Sequence, residues 1–355
     1  MKMVRKYGLF VLLIIITYWM VFRRLSVSNL IDALNGVNYL WLLAGICCMG
    51  IFVICEGINI GRCLSIFGYK SVGLGRCVKY AACGFFFSSI TPSASGGQPM
   101  QLYYMHKDSI KAAHGTMALL IELLSFNLAT ITLAIIGYAS QKDLINSSIG
   151  NMKIVLILGV GLNVAGAVIL TLAIFSEKAI GKMTAVAVRF VGFFNKQKSV
   201  ALEKVLAEQC LEYHKCRGIL IDNKAVFAKT LATSFVQLIM QYSIPFFVYK
   251  AMGLEGYSIV RIVLLQAVLT AAVSAIPLPG AVGVSEVGFL SIFKMLFPST
   301  LVGAGMLLSR GISFYLFVVL TGVLLLACKV HAQSKGAIRT KEIYQIQKYQ
   351  TKCKI

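Results

Sequence analysis

Residues 39–61 read YLWLLAGICCMGIFVICEGINIG, an unbroken apolar run in which Glu56 is the only charged residue. A helix needs about 20 residues to cross a hydrocarbon core of about 30 Å, and this run is long enough. A soluble helix of that length would carry a polar face, and none is visible here. Similar runs lie at 7–22, 116–139, 154–175, 228–249 and 301–328. The composition agrees: the 355 residues are 58% hydrophobic and 13% charged, where soluble domains carry about 25% charged residues. Mean hydropathy is +0.81. The expected fold is an all-α polytopic integral membrane protein with about six full spans.

The formal net charge is +21. Nucleic-acid domains gather Lys and Arg with aromatics on a soluble face, whereas here the basic residues sit between apolar runs, so no nucleic-acid partner is expected. Lys2, Arg5 and Lys6 precede the first run and Arg23 and Arg24 follow it without a small-residue cleavage site. The run therefore reads as an uncleaved first helix rather than a removed signal peptide. With the N-terminus inside, only Arg23, Arg24, Lys142, Lys153, Lys250 and Arg261 fall outside, and Lys294 and Arg310 fall in the membrane region, of 34 Lys and Arg. The positive-inside rule then puts both termini in the cytoplasm. The loop 176–227 is the one sizeable cytoplasmic segment. Leu202, Val205, Leu206, Cys210 and Tyr213 share a helical face opposite Glu203, Lys204, Glu208 and Glu212, which predicts a surface helix. Residues 185–194 (AVAVRFVGFF) suit the membrane interface, and 329–355 form a basic cytoplasmic tail.

Two further apolar regions are interrupted. Region 77–105 is broken by TPSASGGQP (Thr91 to Pro99), and region 259–297 by PLPGAVGVSE (Pro277 to Glu286). Pro and Gly this dense end helices. Non-helical backbone at membrane depth is tolerated only inside protein or beside a water-filled cavity, so the breaks predict a polar cavity. They are expected either as two re-entrant broken-helix hairpins beside the six full spans or as further spans, about eight in all. As hairpins they enter from opposite faces, the arrangement that places a substrate between paired broken helices. The plainer alternative is a pair of Pro/Gly-rich surface turns.

Ser93, Ser95, Gly96, Gly97, Gln98 and Pro99 in the first break, and Pro279, Gly280, Gly283 and Ser285 in the second, are the candidate substrate-binding residues. They offer side-chain and backbone donors with little bulk, and helix N-termini exposed there would attract a phosphate. Charges within spans cost at least about 2.5–3.5 kcal/mol at the bilayer centre unless paired or hydrated. Glu122, Glu286 and Arg310 are the candidate charge-balancing residues, with Arg310 paired to Glu286 or to Glu122. Glu56 and Lys294 lie near the ends of their runs, where a side chain can reach the surface. Asn59, Asn127, Asn163, Gln237, Gln241 and Gln266 either line the cavity or bond across helices.

Ten cysteines occur without a C-x-x-C pair or zinc spacing, and Cys210, His214 and Cys216 do not share one helical face. No metal and no cofactor are expected. No catalytic order and no Walker motif appear; His106 and His114 read as solvated.

The pieces GFFFSSITPSASGGQP (84–99), Glu122 in the following helix, PLPGAVGVSE (277–286) and Arg310 in the last helix, in this order, resemble the transmembrane region of the lysylphosphatidylglycerol synthase/flippase family. The resemblance runs from about Gly8 to Cys328. It implies a flippase-like transmembrane domain over 1–328 that moves phospholipid between leaflets. Long members add a soluble domain that transfers lysine from lysyl-tRNA to phosphatidylglycerol; here 27 residues follow the last run, too few for that domain, so lysyl transfer by this chain alone is not expected. Many members have a basic residue where this chain has Gln101, and Glu-Arg where it has Glu122-Leu123.

The leading expectation is a flippase for phosphatidylglycerol, its lysyl ester or a related lipid in a bacterial-type plasma membrane. The alternatives are a phosphatidylglycerol lysyltransferase-type protein or subunit, linked by the family to cationic-peptide resistance, and a small-solute secondary transporter. The expected partner is membrane phospholipid, with a separate synthase or a second copy of the chain left open.

Overall fold

The first described helix of the computed structural model, α1 (Tyr39–Ile66), starts where the Asn38 side chain accepts the Leu40 N–H at 3.0 Å. The structure describes residues 36–143, 145, 152–176, 185, 189, 212–274, 276 and 278–328. Every regular element among them is helical. After α1 come α2 (Leu74–Ile90), a 3-10 turn (Pro92–Ala94), α3 (Gly97–Lys107), α4 (Ala112–Ser140) and α5 (Met152–Phe175). A helical segment at 212–222 leads into α6 (Lys224–Tyr242), α7 (Ile244–Ala251) and α8 (Ile259–Val273). A second 3-10 turn (Pro279–Ala281), α9 (Val284–Phe293) and α10 (Val302–Arg310) complete the order. A π-helical turn, Gly311–Leu316, carries α10 on to residue 328.

Five helices are long and apolar enough to cross a membrane: Tyr39–Ile66, Ala112–Ser140, Ile154–Phe175, Lys224–Ala251 and Val302–Cys328. They coincide with five of the expected spans. The sixth, 7–22, lies outside the described residues, as do Pro277, the basic tail and most of the loop 176–227, including residues 202–210. Two of the five are not regular. Lys224–Ala251 breaks at Ser243, because Pro245 lacks the N–H that would bond the preceding turn. The last span carries the π turn, a form frequent at functional positions.

Helices α1, α4 and α6 pack on one another at the centre, burying Met49, Ile60, Leu64, Met117, Ile121 and Leu238. Large apolar side chains cover the outside instead: Ile154, Ile157, Leu158, Leu162 and Ile169 of α5 are all exposed. A soluble monomer rarely exposes so continuous an apolar face; a bilayer accepts it.

Both broken regions are helical hairpins. Helix α2 packs against α3, and α8 against α9. The arms have 17 and 11 residues in the first hairpin and 15 and 10 in the second. At 1.5 Å per residue they measure only about 15–25 Å, and each falls short of the roughly 20 residues a full span needs. The first hairpin leans on α1 and α4, the second on α4, α5 and α10, and their two turns touch each other.

Candidate functional site

The two turns share one backbone path. Thr91 and Leu278 enter extended, at φ −115, ψ 145 and φ −110, ψ 143. Pro92 and Pro279 follow and fix the chain's direction. The next residues, Ser93 (φ 51) and Gly280 (φ 57), and then Ala94 (φ 54) and Ala281 (φ 50), are all left-handed. A left-handed non-glycine residue costs about 1–2 kcal/mol. Ser93, Ala94 and Ala281 therefore hold strain that persists only because the surroundings fix the turn. Gly280 has a steric reason as well: a Cβ there would stand 2.1 Å from the Phe314 ring.

Where the turns meet, a cavity of about 290 Å³ opens. The first hairpin contributes Ser88, Ser89 and Ser93, and the second contributes Gly280, Ser285, Gln266 and Thr270. Gln241 and Tyr242 come from the end of α6, beside the Pro245 break, and Ser309, Arg310 and Ser313 from the last span at its π turn. All four interruptions of helical structure thus border one space. Its walls hold polar atoms in need of partners: Gln266 Oε1 and Ser309 Oγ are buried without a hydrogen bond among the described residues. An unpaired buried polar atom costs about 1–3 kcal/mol, so such atoms mark a place that takes up water or a ligand.

Arg310 organises the second turn. Its Nε donates to Glu286 Oε1 at 3.1 Å and its Nη2 to the Gly280 carbonyl at 2.8 Å. Tyr315 donates its hydroxyl to the same Glu286 oxygen at 3.0 Å. The other Glu286 oxygen accepts the Gly283 N–H, as the N3 residue of a capping box does. The guanidinium also lies 4.6 Å above the Phe314 ring. A guanidinium has five N–H donors, and Arg310 is among the residues that line the cavity. Of the two pairings left open for Arg310, the Glu286 pair forms.

Ser93, Gly280, Ser285 and Arg310 of the expected residues line the cavity, and the others sit elsewhere. Ser95 and Pro99 are exposed and Gln98 is half-buried, and none of the three lines the cavity. Gly96 donates its N–H to Thr91 Oγ1 at 2.9 Å. Gly97 is a packing residue, since a Cβ there would come 2.1 Å from Ser88 Oγ. Pro279 starts the second turn, and Gly283 caps α9. The expected attraction of phosphate to both helix N-termini needs correcting at α9, where the Glu286 carboxylate already holds that position.

Glu122 does not reach Arg310. It is 8% exposed on α4 and lies within Coulombic range of Glu56. Glu56 in turn does not snorkel: it is half-buried and accepts a 2.9 Å hydrogen bond from Gln101 Nε2. Lys294, by contrast, is exposed at the end of α9. Asn59 and Asn163 bond across helices, to Ser234 and to Ser274, while Gln241 and Gln266 face the cavity. His114 is not solvated as expected; it stacks on Phe67 at 5.3 Å and meets Tyr69 and Glu212. Among the described residues no group of three or more His, Cys, Asp or Glu is arranged to hold a metal. Sequence reasoning passed over Ser89, Tyr242, Thr270, Ser309 and Ser313. The available signal was spacing: Gln266 with Thr270, and Ser309 with Ser313, repeat at i, i+4 on otherwise apolar helices.

Fold and cavity together define a membrane-embedded helical protein with a polar site between two broken helices. The model of one family, described as the lysylphosphatidylglycerol synthase TM region, matches residues 7–321. The chain belongs to that family. No curated protein and no solved structure matches it.

Proposed function

We propose that the chain moves a phospholipid between leaflets, holding the headgroup in the cavity while the acyl chains stay in the bilayer. The observation that carries this reading is the cavity of about 290 Å³ between the two turns, with Arg310 on its wall. That volume lies at the lower limit of ligand pockets. It suits a phosphate-bearing headgroup and leaves no room for two acyl chains. Arg310, with Ser93 and Ser285, would meet the phosphate. The short hairpin arms and touching turns support entry of the hairpins from opposite faces of a plasma membrane, which puts the headgroup at mid-depth. The family's tie to lysylphosphatidylglycerol makes phosphatidylglycerol and its lysyl ester the first lipids to try.

The cavity's size favours one second reading, a small polar solute as cargo, since the same walls would serve it. A headgroup-accessibility assay separates the two. Purified protein in liposomes with labelled phosphatidylglycerol or its lysyl ester is compared with an Arg310→Gln variant at a temperature where both are shown to be folded. Faster exchange between leaflets in the wild type, lost in the variant, supports lipid transport. Exchange equal to empty liposomes for both lipids refutes it for them and turns the search to solutes.

A further inference from the structure

A second polar cluster lies away from the cavity, between α1, α3, α4 and α6. Its frame is a ladder between α1 and α6. Cys63 faces Thr230 at 3.8 Å, Arg62 donates to Thr233 at 2.9 Å, and Asn59 donates to Ser234 at 3.2 Å. Numbers fall on one helix as they rise on the other, so the pair runs antiparallel. Residues 56, 59 and 63 share one face of α1, and 230, 234 and 237 share one face of α6. The next rung therefore sets Gln237 level with Glu56. Gln237 is 1% exposed, and neither its amide oxygen nor its nitrogen has a partner among the described residues. From the other side Gln101 of α3 holds Glu56, with Glu122 of α4 beside them. Glu122 makes no hydrogen bond or ion pair with the described residues.

Two carboxyls thus share a largely dry site inside the bundle. No base forms a salt bridge to either among the described residues. The groups around them are Arg62 and Cys63 on α1, Cys83 on α2, Gln101 on α3 and Gln237 on α6. Arg62 is engaged by Asn59 and Thr233, and Lys79 on α2 lies over the Tyr104 ring at 5.2 Å. Two like charges in this setting repel each other and each loses its hydration. Amides alone do not offset that, so a positive charge has to join them.

We propose that Glu56 and Glu122, with the amides of Gln101 and Gln237, form a binding site for one monovalent cation, a proton or an alkali-metal ion. The amide oxygens complete a hard-oxygen ligand set for a metal ion, and the same carboxyl pair shares a proton when no metal ion binds. Gln101 belongs to the first hairpin, one helical turn beyond Gly97, so occupancy is felt where the hairpin's second arm begins. This site does not depend on the lipid reading, and its test measures binding rather than transport.

The experiment follows the unfolding midpoint of the purified chain in nanodiscs. Sodium, potassium and N-methylglucamine chlorides are compared at equal ionic strength, and each series is repeated across the neutral pH range. Wild type runs beside Glu122→Gln and beside Gln101→Lys, which supplies a fixed ammonium at the pair. A metal-ion site gives a saturable rise of several degrees with sodium or potassium but not with N-methylglucamine. A proton site gives no difference between salts and a midpoint that falls as pH rises. Either response must vanish in Gln101→Lys. A wild type that responds to neither salt nor pH, or a Gln101→Lys chain that responds as the wild type does, overturns the proposal. Should Glu122→Gln fail to fold, the Gln101→Lys comparison decides alone.

Discussion

Glu286 and Arg310 should show strong energetic coupling in a double-mutant cycle. Their side chains are only 12% and 17% exposed, so each depends on the other to remain charged. In Glu286→Gln the Arg310 guanidinium loses its counter-charge. The new amide nitrogen also faces either the Gly283 N–H or the Arg310 Nε–H, a donor against a donor. In Arg310→Gln the carboxylate loses its partner and the Gly280 carbonyl loses a 2.8 Å donor. Breaking one side of a buried pair costs about 3–5 kcal/mol. Partial exposure on the cavity side puts each single variant at the lower end, about 3 kcal/mol, or on the order of a hundredfold in the folded-to-unfolded ratio. The double variant Glu286→Gln/Arg310→Gln leaves two neutral amides that can bond each other. It should cost less than the two single changes added together, by about 2 kcal/mol. Reversible unfolding in mixed micelles measures all four corners of the cycle. Additive costs would refute the reasoning, because they would mean that each charge is hydrated independently.

Gly280→Ala should cost about 2–3 kcal/mol, since its Cβ meets Phe314 at 2.1 Å and its φ is 57; Gly280→Ala/Phe314→Ala should recover part of that in the same unfolding assay. Ser93→Gly should raise the unfolding midpoint by the equivalent of about 1 kcal/mol, because it relaxes a left-handed serine. Gly97→Val should displace Ser88 and separate α2 from α3, which cross-linking of paired cysteines placed on the two arms would reveal as lost yield. The Glu212 carboxyl is held below the usual carboxylate range by Lys111, then Lys215. Its stabilising effect is therefore present above the ordinary carboxylate value and lost as pH falls below about 4. Hydrogen exchange in 212–222 should accelerate over that acid window in the wild type, and Glu212→Gln should flatten the change.

The spans were legible because hydropathy is a property of each segment alone: the run that begins at Tyr39 would read the same in any bundle. The two breaks were legible for a similar local reason, as Pro92 and Pro279 cannot continue a helix whatever surrounds them. Partner choice was not. Position in a span left Glu122 free to face Arg310, and the packing of α4 against α1 set it beside Glu56 instead. The roles of Gly96 and Gly97 depended on how closely α3 approaches α2, which composition does not record. Pro245 offered a visible signal of a break within 228–249 and went unread. The π turn at Gly311–Leu316 offered none, since its residues are as apolar as their neighbours.

That π turn gives the last span a phase. An α-helix advances about 100° and 1.5 Å with each residue, and the wider turn inserts extra backbone between Arg310 and the segment after Leu316. The guanidinium faces the cavity while Val319, Val323 and Leu326 face outward, two orientations set separately by the offset between them. Deleting one residue within 311–316 would rotate one half against the other by roughly a quarter of a revolution. The chain would then have to choose between turning Arg310 away from Glu286 and turning its outward-facing stripe into the bundle. The extra residue works as a fixed rotational coupling, allowing a single helix to serve two incompatible faces.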